Sequence, residues 1–293
     1  MKTVLSDWFS LGLLCALSLA TADALTKKFF ADRSGMELVA IRFGSPALLL
    51  LPLAIRFPLP PVPDGFWLLL AILLPLEFLA MWLYMVAIRD WPLHLTMPYL
   101  AFTPVFNVLS GLVILDERVS AAGLGGILLV VAGTWGLNVD PDRPGALLAP
   151  FAAVFRVRGS RLMLAVALIY SLTSVLGKQA MRYADPLSFG PFYMVLLGAL
   201  SLVPALAGRR GRVLLPVRRW PQLLLLAAAM AVMIVTHFLA IAHVQVAYFI
   251  ALKRTSLLFG ILYGGWLFRE RHLRRHLAAG LLMVAGVALI VAA

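Results

Sequence analysis

The stretch ERVSAAGLGGILLVVAG at residues 117–133 has a counterpart, ERHLRRHLAAGLLMVAG, at residues 270–286. Glu117 and Glu270 open the two stretches, and each stretch ends sixteen residues later in a glycine. The two glutamates are 153 residues apart, and shifts of 151 to 153 residues superpose the helix pattern of the rest of the chain. Because self-similarity at a long period marks a duplicated structural unit, the sequence predicts one fold built twice.

The chain is apolar from end to end. Of its 293 residues, 62% are hydrophobic and 13% are charged, whereas a soluble domain is about 25% charged. Apolar runs recur at the length of roughly 20 residues that a helix needs to cross a bilayer, and they lack the alternation of barrel strands. We therefore predict an all-α membrane protein with ten transmembrane helices, at residues 8–30, 36–55, 66–88, 93–115, 119–138, 161–183, 187–207, 220–242, 245–267 and 274–292.

Five helices per half is an odd number, so the second half must enter the membrane from the opposite side. The sequence thus predicts two inverted five-helix repeats around a central cavity, at residues 1–138 and 161–293, joined by a polar, turn-rich linker at residues 139–160. Inverted repeats are common in secondary transporters, where the solute site lies between the repeats and alternating access comes from their relative rocking. Since two fused repeats can complete a cavity within one chain, we expect a monomer.

The net charge of +12 does not indicate a nucleic-acid partner, because the basic residues are dispersed in short loops with no separate domain to hold a duplex. Most of them fall on one side of the predicted membrane, which the positive-inside rule places in the cytoplasm, with both termini outside. We expect a multi-pass protein of the cell inner membrane.

An enzyme or a metal site is not expected. Among the five histidines, only His272 and His276 are four residues apart, the spacing at which two histidines on a helix can bind one metal ion. They lie in an arginine-rich run, which repels a cation. No other cluster meets the requirements of an active site. We expect no cofactor and no catalytic residue, and a channel is disfavoured because no filter motif is present.

Charged groups inside the predicted helices are the first candidates for a solute site. Each costs roughly 2.5 to 3.5 kcal/mol at a helix centre unless it faces a cavity or a partner. In helix 3, Glu77 and Tyr84 share one face, and a shift of 153 residues from Tyr84 leads to His237 in helix 8. We predict that these three side chains line the cavity; the alternative is that Glu77 and His237 make interhelical hydrogen bonds only.

Helices 1 and 6 carry a second matched pair of faces. At a shift of 151 residues, Asp23 corresponds to Ser174 and Lys27 to Lys178. Tyr170 precedes Ser174 by one helical turn. We predict Asp23, Tyr170 and Lys178 as solute-binding residues. Asp23 could instead be neutralised by Lys27, four residues along the helix, and Lys27 could reach the interface.

Helix 4 holds Pro98 and Pro104 around Tyr99. Each proline removes a backbone donor and frees a carbonyl that needs another partner. We predict that Tyr99 and Asn107, further along the helix, line the cavity, with packing alone as the alternative.

In helix 9, Lys253 and Arg254 are about 100° apart. We predict that Lys253 and Ser256 face the solute and that Arg254 faces an interhelical partner such as Glu77. The six charged residues named for these interiors, Asp23, Arg42, Glu77, Lys178, Lys253 and Arg254, sum to +2, which favours a solute with a carboxylate. Glu117 and Glu270, by contrast, are expected to cap the helices that follow them.

The segments that run from Thr103 to Gly133 and from Leu252 to Gly286 resemble the EamA family of the drug/metabolite transporter superfamily. The resemblance covers nearly the whole chain. It implies a ten-helix carrier that exports amino acids or other small metabolites. A carrier or flippase for a lipid-linked or nucleotide-sugar anionic substrate is the alternative, since the same architecture could accept a larger headgroup.

Overall fold

The computed structural model describes residues 2–91, 97–137, 157–207, 217–268 and 277–293, and within these ranges the chain is helical with no strand. The predicted all-α class is confirmed. The helices are α1 (Lys2–Phe30), α2 (Gly35–Arg56), α3 (Asp64–Asp90), α4 (Thr103–Leu115), α5 (Ala121–Leu137), α6 (Arg158–Ala180), α7 (Pro186–Ala207), α8 (Trp220–Ile241), α9 (Val246–Lys253), α10 (Ser256–Phe268) and α11 (Leu277–Ala292).

Six of these helices are long and apolar enough to cross a membrane: α1 from Trp8, α2, α3, α6, α7 and α8. Shorter apolar helices cover Tyr99–Leu115, Ala121–Gly136 and Ala279–Ala292. The structure therefore supports a multi-pass protein, while the count of ten spans stays a prediction.

Two predicted spans are not single helices. The span at 245–267 is interrupted by a turn at Arg254 and Thr255, which separates α9 from α10. The span at 93–115 includes a 3-10 turn, Met97–Phe102, that leads into α4; residues 92–96 lie outside the described part of the chain. Pro104 falls in the first turn of α4, where its missing N–H removes no intrahelical bond.

The described chain divides into two compact units, and each unit takes helices from both sequence halves. The first unit consists of Met1–Trp82 and Leu176–His243. In it, α2 packs along α7 and α1 packs along α8. The contact of α2 with α7 is reciprocal: a Cβ on Gly198 would lie 2.4 Å from Ala47, and one on Gly44 would lie 4.0 Å from Ser201. A shift of 154 residues maps Gly44 onto Gly198 and Ala47 onto Ser201, so the two contacts exchange under it, the pattern that a two-fold relation between repeats produces.

The second unit consists of Leu83–Val175 and Val244–Ala293. Here α5 packs along α11, and α4 packs against α9. Gly126 and Gly286 meet, because a Cβ on either would lie 2.6 Å from the other's carbonyl oxygen. Gly133 meets Ala279 in the same way. Because Gly133 pairs with Gly286 and Gly126 with Ala279 at a shift of 153 residues, this contact is also reciprocal.

Candidate functional site

The acidic residue of α3 lies on the side of the helix opposite an exposed leucine. Leu68 is 67% exposed, and Glu77 follows it by nine residues, which is two and a half helical turns and therefore the opposite face. Met81 and Tyr84, one and two turns beyond Glu77, are buried. The face predicted from the sequence thus exists as an inward face of α3.

The histidine of α8 has the same disposition. Val232 is an exposed apolar residue, and His237, five residues further on, is turned about 140° away from it. His237 is half-buried, and its ring contacts Phe238 edge-on, with centroids 5.0 Å apart. His237 therefore lies on a partly buried side of α8, away from the exposed Val232.

Asp23 lies nine residues beyond the exposed Leu14 of α1, again on the opposite face. Its Oδ1 accepts a hydrogen bond from Arg42 Nη1 at 2.7 Å. Arg42 also donates to Thr26 Oγ1 at 3.2 Å. The sequence suggests Lys27 as a partner for Asp23 and does not reveal the pair with Arg42. The signal for it is Arg42 itself, because a guanidinium inside a membrane span needs a partner.

The two candidates on α6 fall in different units. Tyr170 is half-buried, and its backbone oxygen accepts from Ser174 Oγ at 2.8 Å. Lys178, two turns further on, is also half-buried. The boundary between the two units falls between Val175 and Leu176, so Lys178 belongs to the first unit and Tyr170 to the second.

Asn107 and Tyr99 are both buried in the second unit. Ser174 Oγ of α6 also lies 2.9 Å from Asn107 Oδ1 and can donate to it. Tyr99 contacts Trp135 edge-on, with ring centroids 6.1 Å apart. Asn107 thus takes part in a polar contact between α4 and α6, and Tyr99 packs against α5.

The turn between α9 and α10 holds the basic pair. Arg254 Nη2 donates to Thr103 Oγ1 of α4 at 2.8 Å, a partner that the sequence argument had not considered. Lys253 is half-buried, and Ser256 is buried at the start of α10. The first residue of α4 is thereby joined to the turn in the other repeat.

Glu117 contacts a helix that its position in the sequence does not indicate. Its Oε2 accepts from Val246 N, the first N–H of α9, at 2.8 Å, so Glu117 meets a helix N-terminus in the other repeat. At the start of α5, the helix that follows Glu117 in the sequence, Ser120 Oγ accepts from Gly123 N at 3.0 Å. Distant packing, which spacing along the chain does not reveal, decides the partner.

Some predicted features lie outside the described residues: Glu270, His272, His276 and most of the linker. Among the residues that are described, no group of three or more histidine, cysteine, aspartate or glutamate side chains could hold a metal ion. The ten candidates divide between the two units. Asp23, Glu77, Lys178 and His237 belong to the first, and Tyr84, Tyr99, Asn107, Tyr170, Lys253 and Ser256 to the second.

The chain is similar to a known protein family and to solved structures. A sequence profile of the EamA-like transporter family matches residues 7–139 and 157–292. A solved structure described as "Crystal structure of protein" is similar over 98% of both chains, with a TM-score of 0.75 and 18% sequence identity; a likeness at that identity establishes the fold. No curated protein matches the sequence.

Proposed function

The chain belongs to the EamA-like transporter family, and from that premise we propose that it is a secondary transporter that exports small metabolites such as amino acids. Membership makes it a membrane transporter of the drug/metabolite type. The proposal places it in the cell inner membrane as a monomer. Alternating access between two inverted repeats is the proposed mechanism, which the reciprocal packing of α2 with α7 and of α5 with α11 supports.

The observation that carries the proposal is the placement of ionisable groups inside apolar helices. Asp23, Glu77 and His237 each occupy a helix face turned away from exposed apolar residues. A group that is costly in the bilayer and does not face lipid is typical of a solute or proton pathway. Carboxylates suit the ammonium group of an amino acid.

Cationic groups also lie inside the apolar helices of each unit. Lys178, in the first unit, and Lys253, in the second, are half-buried. The interior groups named from the sequence carry a net charge of +2, which favours a solute with a carboxylate. The two charged ends of a zwitterionic amino acid therefore each suit groups of the opposite charge inside these helices.

Counterflow in liposomes tests the proposal. The purified protein is reconstituted, and exchange of a labelled amino-acid panel is measured with and without a pH gradient for wild type, Glu77→Gln and Lys253→Ala. Arg118→Ala is the control, because the Arg118 side chain is 84% exposed. Saturable exchange that both site variants lose and the control keeps supports the proposal. Exchange of lipid-linked or nucleotide-sugar substrates instead would overturn the proposed solute class.

A further inference from the structure

One face of α4 carries a row of buried polar side chains. Thr103, Asn107 and Ser110 follow one another at spacings of four and three residues, which places them along a single side of the helix. All three are buried. The exposed Leu109 and Val113 lie on other sides of α4. Three polar groups buried on one face of a membrane helix need partners or a polar ligand.

Two members of this row have partners on other helices. Thr103 accepts from Arg254, and Ser110 Oγ is within hydrogen-bond distance of the backbone oxygens of Phe106 and Ser171, at 3.0 and 3.3 Å. Asn107 differs from them. Its Oδ1 can accept from Ser174 Oγ, but within the described part of the chain its Nδ2 has no hydrogen-bond partner, although the residue is only 1% exposed.

A buried amide donor without a partner is unfavourable by about 1 to 3 kcal/mol. Ser174 Oγ lies 2.9 Å from Asn107 Oδ1 and 2.8 Å from Tyr170 O, and its single proton can serve one of them at a time. When the proton is directed to Asn107, the carboxamide oxygen is used and the NH2 group is left without a partner. Asn107 lies four residues along α4 from Thr103, a rise of about 6 Å, so the positive guanidinium of Arg254 is held about one turn from this donor. An amide donor beside a guanidinium favours an anionic acceptor.

We propose that Asn107 Nδ2 is a hydrogen-bond donor to the carboxylate of the transported solute, and that Ser174 is the positioning residue that orients it. This inference rests on the proposed transport function and adds a residue-level assignment to it. Asn107 is buried in this structure, so the proposal requires that its amide becomes accessible to the solute during transport.

Cysteine accessibility tests the assignment without knowledge of the solute. The chain has one cysteine, Cys15, so a Cys15→Ser background is free of thiols. Asn107→Cys and Ser174→Cys are each introduced there, and the reconstituted protein is treated with an anionic sulfonatoethyl or a cationic trimethylammonium-ethyl methanethiosulfonate. Val113→Cys is the control on the same helix, because Val113 is 82% exposed on a side away from Asn107 and faces lipid.

We expect both site cysteines to react, and the anionic reagent to react several-fold faster, while Val113→Cys reacts with neither. Protection of both site positions from both reagents overturns the proposal, since the amide is then a packing group. Faster reaction with the cationic reagent also overturns it, because the site then attracts a cation. If Asn107→Cys does not fold, Ser174→Cys alone decides between these outcomes.

The cysteine-accessibility result can be separated from a failure of the proposed transport function. If no amino acid shows counterflow and the anionic reagent still reacts faster, the anionic subsite stands and the proposed solute class falls. Where counterflow is measurable, Asn107→Asp replaces the amide donor with a carboxylate and is expected to raise KM about tenfold or more, with a smaller effect on kcat. An unchanged KM contradicts the assignment.

Discussion

Arg42 and Asp23 form an ion pair whose two partners are unequally buried: 4% of the Arg42 side chain is exposed, against 40% of the Asp23 side chain. The contact joins Nη1 to Oδ1 across 2.7 Å and connects α2 to α1. Because desolvation of a charge is the larger for the more buried partner, Arg42 depends on Asp23 more than Asp23 depends on Arg42. Asp23 retains surface that a solute or water can reach.

This inequality predicts an order of effects. Asp23→Asn removes the negative charge beside a buried guanidinium and is expected to lower the free energy of unfolding by about 3 kcal/mol. Arg42→Met leaves a carboxylate that water can solvate and is expected to lower it less. The double variant should lose less than the sum of the two single variants. Unfolding by denaturant in mixed micelles measures all three, and a larger loss in Arg42→Met would contradict the argument.

The contact between Glu117 and α9 gives a second prediction. Glu117→Ala removes the acceptor for Val246 N and is expected to lower the free energy of unfolding by about 1 kcal/mol. Glu117→Gln keeps an amide oxygen in place and should lose a smaller amount. Arg118→Ala, one residue along and exposed, should change nothing measurable. Equal losses for Glu117→Ala and Glu117→Gln would indicate that charge, rather than the hydrogen bond, stabilises α9.

The positions of the long helices could be predicted from the sequence because each is a continuous apolar run near the thickness of a bilayer. The prediction for α2 was 36–55, and the structure has Gly35–Arg56. The turn at Arg254 and Thr255 could not be predicted, since no proline or glycine marks it and the short polar run from Lys253 to Ser256 is equally compatible with an unbroken helix. Packing across the repeats, which one sequence does not encode locally, decides that turn.

The candidate site shows the same division. The placement of Glu77, Met81 and Tyr84 on one face of α3 follows from helical periodicity, and in the structure Met81 and Tyr84 are buried and Glu77 is half-buried. The partners of charged groups do not follow from periodicity: Asp23 pairs with Arg42 of α2, and Arg254 pairs with Thr103, 151 residues away. The first contact joins consecutive helices, and the second joins segments from the two repeats. The roles of all ten candidates in solute binding remain predictions.

The close contact between Gly123 and Tyr248 gives a third prediction. A Cβ on Gly123 would lie 1.9 Å from Tyr248 Oη, so Gly123→Ala must displace the tyrosine. Tyr248 Oη accepts from Ser120 N at 3.0 Å, and that bond is then lost. We expect the unfolding temperature to fall by several degrees. Gly65→Ala is the control: nothing lies within 4 Å of its Cβ, and it should be neutral or slightly stabilising.

The cap of α7 gives a prediction on pH. Asp185 accepts from Ser188 Oγ at 2.6 Å and from the N–H groups of Leu187 and Ser188. The hydrogen bond from the Ser188 hydroxyl, aided by these N–H groups and opposed by partial burial, holds the pKa of Asp185 below its ordinary value. A lowered pKa in the folded state means that the carboxylate stabilises the protein above the unfolded pKa, and that this stabilisation is lost as pH falls through the folded value.

Unfolding measured in detergent between pH 3 and 7 should therefore show the cap intact over most of the range. Asp185→Ala is expected to lower the free energy of unfolding by about 1 kcal/mol at pH 7, and the difference from wild type should shrink below about pH 4. Asp185→Asn keeps an acceptor that does not titrate, so its difference from wild type should reverse or vanish in acid. A gap between wild type and Asp185→Ala that stays constant down to pH 3 would show that the carboxylate charge plays no part in stabilising α7.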